Sequence, residues 1–162
     1  MNEFMRELTN GLPDATELAR VLVRLLAAAL LGAVVGIQRE RAGKAAGLRT
    51  HMLVALGAAL LVLAGAEAGM TPSDLSRVVQ GVITGIGFLG AGAILKSEHE
   101  REIRGLTTAA GIWLTAGVGI ASGLGRWGTA ALASFASWLI LAVLGRMEQR
   151  LEVKHPTKSQ SA

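Results

Sequence analysis

Residues 18–38 read LARVLVRLLAAALLGAVVGIQ, and the charged side chains in this stretch, Arg20 and Arg24, both lie near its start. A helix on the surface of a soluble protein keeps one polar face, whereas this run is apolar on all sides over the length needed to cross about 30 Å of hydrocarbon. Four further apolar runs follow, at about 52–66, 78–95, 105–125 and 129–145. The sequence therefore predicts an all-α fold, a polytopic membrane helix bundle of about five transmembrane helices.

Short charged segments separate the apolar runs, and their lysines and arginines indicate an orientation. Of the sixteen basic residues, eleven lie in the segments 39–51, 96–104 and 146–162 on one side, and five lie on the other. Because cytoplasmic segments carry the excess of lysine and arginine, we expect the N-terminus outside and the C-terminus in the cytoplasm. The predicted partition is a polar outer segment at 1–17, one membrane domain at 18–145 and a short cytoplasmic tail at 146–162.

The composition argues against several classes of function. The chain has no cysteine, which excludes disulfides, thiolate metal sites and cysteine nucleophiles. Its net charge of +4 does not indicate nucleic-acid binding, because the basic residues flank apolar runs and do not alternate with aromatic ones. His51, His99 and His155 have no partner at metal-ligand spacing, and the serines lack a nucleophile motif. We expect no enzyme activity, no metal, no cofactor and no nucleic acid; the expected partners are the lipid bilayer and other membrane proteins.

Glycine is unusually frequent, with 21 residues, most of them inside the apolar runs. Small residues one turn apart on a helix face let membrane helices approach closely, which predicts a tightly packed bundle and allows a homo-oligomer. An alternative is local unwinding of the glycine-rich third span. The spacing Gly85-x-Gly87-x-x-Gly90 also matches a dinucleotide fingerprint, but that motif requires a preceding strand, and a membrane span does not supply one. The glycines predicted to pack helices are Gly32, Gly36, Gly81, Gly85, Gly87, Gly90, Gly92, Gly111, Gly119 and Gly123.

Two similar segments begin the second and fourth spans on the predicted cytoplasmic side, GLRTH at 47–51 and RGLTT at 104–108. A helix N-terminus offers free backbone N–H groups and the positive end of the helix dipole, and these segments add arginines and hydroxyls. The pattern predicts a site for a phosphate, a lipid head group or the carboxylates of a partner. The alternative is that the threonines cap the helices while the arginines follow the positive-inside bias, paired with an acid of the connection. The candidate residues are Glu40, Arg49, Thr50, Arg104, Thr107 and Thr108.

Acidic residues near the spans, such as Glu17, Glu40 and Glu67, lie at span ends and not in span cores. A cation path normally places Asp or Glu within the bilayer, and magnesium requires oxygen ligands. Autonomous transport of magnesium or protons is therefore not favoured. A pore lined by Gln80, Thr84 or backbone carbonyls in an oligomer stays open as an alternative.

Three groups of motifs resemble those of the MgtC/SapB family of bacterial inner-membrane proteins, over about residues 18–145. They are GIQRER at 36–41 with KAAGLRTH at 44–51 and LVALGAA at 53–59, then D-x-x-R at 74–77 with GIGFLGAG at 85–92, and RGLTTAA at 104–110. The sequence departs from the family at Gln38, where members often have Glu. It also ends in a short tail where many members carry a folded cytoplasmic domain.

The resemblance implies a hydrophobic domain of several transmembrane helices and a role in growth under magnesium limitation. In pathogens it implies survival inside host cells, which is a virulence function. Members of the family are linked to restraint of the F-type ATP synthase and to magnesium and phosphate homeostasis. The leading hypothesis is therefore a membrane regulator that contacts other membrane proteins. The alternative is an oligomeric transporter or channel for magnesium or another ion.

Overall fold

The computed structural model describes residues 14–96 and 103–154, and this part of the chain is almost entirely helical. Each of its five helices contains a stretch long and apolar enough to cross a membrane, so the predicted all-α bundle of five spans is confirmed. The elements are α1 (Ala15–Arg41), α2 (Leu48–Glu67), α3 (Pro72–Ala93), β1 (Leu95–Lys96), β2 (Ile103–Arg104), α4 (Leu106–Gly123) and α5 (Trp127–Lys154).

Two of the helices begin at capping boxes that the local sequence dictates. Asp14 accepts a hydrogen bond from the backbone N–H of Glu17 at 2.7 Å, and Glu17 bonds back to the N–H of Asp14. Thr71 and Asp74 repeat the arrangement at the start of α3, where Pro72 occupies the first turn. Each box satisfies backbone donors that a helix start leaves free.

Helix α4 is central to the bundle and contacts each of the other four helices. Its contact with α2 is made by backbone, because two glycines leave no side chain between the helices. A Cβ added at Gly119 would overlap the carbonyl oxygen of Ala55, and one added at Gly123 would lie 2.7 Å from that of Ala59. The two helices therefore pack at a distance that even alanine would prevent.

Helix α1 approaches α2 in the same way. A Cβ at Gly32 would lie 2.7 Å from the carbonyl oxygen of His51, and one at Gly36 would lie 2.7 Å from the Cα of Leu48. Helices α1, α2 and α4 thus form a close-packed unit in which glycine sets the separations. Helix α3 makes fewer contacts with α2 and packs mainly on α4.

Side-chain hydrogen bonds to backbone carbonyls connect α1 to α5 and to α4. The Ser134 hydroxyl donates to the carbonyl of Leu31 at 2.8 Å and ties α5 to α1. At the other end of α4, Arg24 donates to the carbonyl of Gly123 at 2.8 Å. A cation at a helix C-terminus is favoured by the dipole, so Arg24 holds the start of α1 against the end of α4.

The charged connection between the third and fourth spans has a feature that the sequence did not predict. Its two ends form an antiparallel ladder, with Leu95 opposite Arg104 and Lys96 opposite Ile103. Gly105 then turns the chain into α4 with φ +97°, and the carbonyl of Ala93 occupies the space that a side chain there would need. Glycine is required at this position on both counts.

The contact of α4 with α2 can be tested at one position. Gly119→Ala places a methyl group against the Ala55 carbonyl, so we expect the free energy of unfolding to fall by about 1–3 kcal/mol. Reversible unfolding of the detergent-solubilised protein in sodium dodecyl sulfate would measure the change. Gly117→Ala is the matched control, because nothing lies within 4 Å of its added methyl group. Equal stability of the two variants would contradict the close contact.

Candidate functional site

The candidate site lies at the end of the bundle where α1 finishes and α2 and α4 begin, which we call the basic end. The connection from α1 to α2 is held there by Glu40. Its carboxylate accepts a hydrogen bond from the backbone N–H of Leu48 at 2.6 Å, directly at the start of α2. Gly47 precedes this helix start, and a side chain on it would overlap the Glu40 carboxylate. The positive end of α2 is thus already matched by a carboxylate of the same chain.

Arg39 is the charged residue that the structure brings into the core. Its side chain is 4% exposed, and Nη2 donates to the Thr108 hydroxyl of α4 at 2.6 Å. Its Nε has no hydrogen-bond partner within the described part of the chain. A guanidinium carries five donors and cannot lose its charge in a protein. Within the described part of the chain, the hydrogen-bond partner of this buried positive charge is therefore one neutral hydroxyl.

His51 lies beside the same face of α4 and is fully buried. Its Nδ1 lies 2.9 Å from the carbonyl oxygen of Gly47, which can only accept, so Nδ1 carries the proton. Nε2 has no partner among the residues that the structure describes. A Cβ at Gly111 would lie 3.4 Å from Nε2, so the imidazole fills the space that this glycine leaves on α4.

The structure separates the predicted site residues into two groups. Thr108 is buried against Arg39, and Thr107 beside it is exposed. Arg49 is exposed on α2 and Thr50 is partly buried there, while Arg104 is exposed at the strand that precedes α4. The N-cap residues are Gly47 and Gly105, so no threonine occupies the N-cap position of α2 or α4. The alternative that threonines cap α2 and α4 is therefore wrong.

Sequence reasoning missed Arg39 and His51 as central residues, although a signal for both was present. The buried face of α1 contains Ala28, Gly32, Val35 and Gly36, and the same spacing continues to Arg39. On α2 the buried set likewise starts at His51 and continues through the small residues of that helix. Extending each helical stripe by one turn would have placed both side chains inside.

A cavity of about 710 Å³ opens beside Arg39 at the basic end. It lies between the last turns of α1, the first turn of α4 and the second half of α5. Its polar lining consists of Gln38, Arg39, Arg41, Lys44, Thr107 and Thr108. Arg49 and Thr50 lie outside it, so Thr107 and Thr108 are the predicted hydroxyl residues that face this space.

The glycines predicted to pack helices also divide into two groups. Those of α1 and α4, including Gly111 beside His51, lie at contacts between helices, as described above. On α3, Gly90 lies 3.6 Å from the Cβ of Ala109, an ordinary contact. The remaining glycines of α3 have no described atom within 4 Å of an added Cβ: Gly81, Gly85, Gly87 and Gly92.

The residues considered for a pore lie on the outside of the bundle. Gln80 and Thr84 are both exposed on α3, and the Thr84 hydroxyl donates to the carbonyl of Gln80 at 2.9 Å. Within one chain they line no channel. Among residues 14–96 and 103–154, no cluster of three or more His, Cys, Asp or Glu side chains is placed to hold a metal ion.

Removal of the Thr108 hydroxyl tests the burial of Arg39. Thr108→Val keeps the shape but deletes the acceptor of a buried charged donor, so we expect stability to fall by about 1–3 kcal/mol. Unfolding in sodium dodecyl sulfate again gives the measurement. Thr129→Val is the control, because Thr129 is exposed at the start of α5 and should change stability by less than about 0.5 kcal/mol. A Thr108→Val protein as stable as this control would show that the bond contributes nothing.

Comparison with known proteins agrees with this architecture. A profile of the MgtC family matches residues 25–150 of the chain. The protein SrpB of Synechococcus elongatus is 44% identical over 137 residues, which cover 78% of this chain and 75% of SrpB. YhiD of Escherichia coli K12, described as a candidate magnesium transporter, is 38% identical over 85% of this chain and 66% of its own length. No solved structure matches the chain.

A third relative shows how much of a longer protein this chain represents. MgtC of Salmonella typhimurium is 39% identical over 130 residues, which cover 80% of this chain but 54% of MgtC. The chain thus spans about half the length of that protein. The family profile covers most of the chain, and relatives well above 30% identity agree with it, so the chain belongs to the MgtC family.

Proposed function

We propose that this chain is a regulator in the bacterial inner membrane that serves adaptation to magnesium limitation by direct contact with other membrane proteins. The F-type ATP synthase is the first partner to test. In this proposal the basic end faces the cytoplasm, in keeping with the excess of lysine and arginine there. The names of the relatives support the link to magnesium, since one is described as a candidate magnesium transporter.

The outer face of α3 is the observation that carries the proposal. In the most apolar stretch of this helix 11% of residues are buried, the lowest share among the five described helices. Gly81, Gly85 and Gly92 lie on one side of α3 because they follow the helical repeat, and each faces open space. Phe88 lies on the same side and is 81% exposed.

These glycines would not stabilise a helix face that contacts only lipid. Glycine lowers helix propensity by about 1 kcal/mol relative to alanine and offers acyl chains less surface than leucine would. A second transmembrane helix, by contrast, approaches closely where side chains are absent and gains backbone van der Waals contact. The face is therefore suited to the transmembrane helix of a partner, with Phe88 as a projecting contact.

The transport alternative has two observations in its favour, the description of YhiD as a candidate magnesium transporter and the exposed polar pair Gln80 and Thr84 on α3. These groups could line a path only where several chains meet. Glu17, Glu40, Glu67 and Asp74 all lie in the first or last turns of the described helices, so the span centres carry no acid to replace the water around a cation. Regulation by contact needs no such acid.

Flux through the purified protein separates the two functions. Liposomes containing the protein and a magnesium-sensitive dye are expected to show the same magnesium entry as empty liposomes, because no span offers carboxylate ligands at its centre. Magnesium entry that disappears in Gln80→Leu and Thr84→Val variants would establish transport and overturn the regulatory proposal.

Partner contact through α3 is tested by filling its glycine face. Gly85→Leu should leave the bundle intact, because nothing lies within 4 Å of an added Cβ, yet it should weaken a close helix contact by about tenfold or more. Crosslinking in native membranes, followed by quantification of co-purified ATP synthase subunits, gives the measurement. Gly117→Leu on the exposed side of α4 is the matched control. The same ATP synthase recovery with both variants would contradict the proposed α3 contact.

A further inference from the structure

The cavity beside Arg39 combines a strongly basic lining with apolar walls. Arg39, Arg41 and Lys44 contribute three positive charges, and none of the described residues that line it is acidic. The geometry points to a binding site for a phosphate group, carried either by an anionic phospholipid or by a free phosphate in the cytoplasm. This assignment does not depend on the proposed regulation, because it rests on α1, α4 and α5 and not on the face of α3.

The first argument is the missing counter-charge of Arg39. A buried cation is costly unless an anion and enough hydrogen-bond acceptors surround it. Within the described residues, no carboxylate forms an ion pair with Arg39, and its hydrogen bond goes to the neutral hydroxyl of Thr108. The adjacent carboxylate, Glu40, is exposed and bonds to the start of α2 instead. An anion in the cavity, which the Arg39 side chain lines, would supply the missing counter-charge.

The second argument is the start of α4, which forms part of the same cavity through Gly105, Thr107 and Thr108. The first backbone N–H groups of a helix have no acceptor within the helix and favour negative charge. Thr108 uses its oxygen to accept from Arg39, so its own hydroxyl hydrogen is available to donate. Unlike the start of α2, which Glu40 already neutralises, this helix end carries no side-chain cap.

The number of donors distinguishes phosphate from smaller anions. Two guanidinium groups, one ammonium, two hydroxyls and the first N–H groups of α4 exceed what a chloride or the two oxygens of a carboxylate could accept. Phosphate oxygens, by contrast, can take several charge-assisted hydrogen bonds at once. A basic pocket between membrane helices is also a known kind of head-group site.

The remaining lining accommodates more than the phosphate itself. Ile37, Trp138 and Leu144 are apolar, each is more than a third exposed, and all three line the cavity. Gln38 donates to the carbonyl of Leu141 at 3.0 Å, while its Oε1 is buried without a partner in the described structure. An acyl chain next to the phosphate would cover the apolar wall.

Trp138 provides a reporter for the lipid source. In a full-length protein with Trp113→Phe and Trp127→Phe, the remaining tryptophan fluorescence comes from the cavity wall. In nanodiscs of phosphatidylcholine, a small fraction of phosphatidylglycerol with brominated acyl chains should quench it more strongly than the same fraction of brominated phosphatidylcholine. For the phosphate source, inorganic phosphate is titrated into the detergent-solubilised protein, and saturable fluorescence change is measured against equal concentrations of chloride.

Variants with matched charge changes decide whether the response comes from the cavity. The double variant Arg41→Gln with Lys44→Gln removes two exposed lining charges and should weaken the response by about tenfold or more. The control, Arg49→Gln with Arg20→Gln, removes two exposed charges outside the cavity. A further variant, Arg39→Gln, should abolish the response if it folds, and the first pair keeps the test valid if it does not.

The results of the two experiments assign the site to a lipid, assign it to free phosphate, or overturn it. A response to phosphatidylglycerol that the cavity variant weakens assigns the site to lipid, and the equivalent response to inorganic phosphate assigns it to the free anion. Absence of a selective response in both experiments would overturn the assignment, as would equal weakening by the cavity and control variants. Because these experiments contain no partner protein, a negative result would not contradict the proposed contact through α3. Failure of the α3 contact would likewise not contradict the phosphate site.

Discussion

The structure depends on how closely the backbones of α1 and α4 approach that of α2. At Gly32, Gly119 and Gly123 the space for a Cβ is already taken by carbonyl oxygens of α2. In a bilayer, helix association cannot rely on the hydrophobic effect, since lipid tails are as apolar as the side chains they would replace. Close van der Waals packing between the helices therefore stabilises the bundle, and glycine allows the helices to approach closely enough for it. The positions of His51 and Arg39 follow, because both side chains extend from helices whose separation the glycines fix.

The arrangement also divides the molecule into two surfaces with different chemistry. The close-packed unit of α1, α2 and α4 buries Arg39, His51 and Thr108, and a basic cavity lies between α1, α4 and α5 at one end. Helix α3 packs mainly on α4, and four of its five glycines have open space beside them. A ligand at the basic end and a helix partner on α3 would thus contact separate elements. Both would still act on α4, which packs directly against α3 and whose first turn lines the cavity.

Much of the fold could be predicted from local sequence, because the signals are local. The length of the apolar runs predicted the five helices. The glycine spacing at 32 and 36, like that at 119 and 123, indicated close helix contacts. The same spacing at 81 and 85 could not reveal that these glycines face outward. Spacing shows that a helix can approach another, whereas its partner depends on how the whole bundle is arranged.

The candidate site was harder to predict for the same reason. The positive-inside rule treats Arg39 as one more solvated residue of a basic connection, next to Arg41. Its burial depends on Thr108, which lies 69 residues further along the chain and meets Arg39 only once α1 and α4 are packed. Likewise, the two helix starts look alike in sequence, with GLRTH and RGLTT. The structure distinguishes them because Glu40 reaches the first, while the second lines the cavity.

A nuclear magnetic resonance distance measurement tests the central claim most directly, namely that Arg39 is a buried cation with a phosphate beside it. The chain would be labelled with ¹⁵N at arginine side chains and reconstituted in bilayers containing phosphatidylglycerol, and ³¹P dephasing would be compared between the parent protein and an Arg39→Lys variant. The account predicts that an arginine ¹⁵N signal of the parent protein is dephased by ³¹P and that this signal disappears in the variant. The expected nitrogen–phosphorus separation in the parent protein is roughly 4 Å, the value that a charge-assisted hydrogen bond sets. If removing Arg39 leaves the dephased arginine signals unchanged, with phosphatidylglycerol or inorganic phosphate present, the account is contradicted.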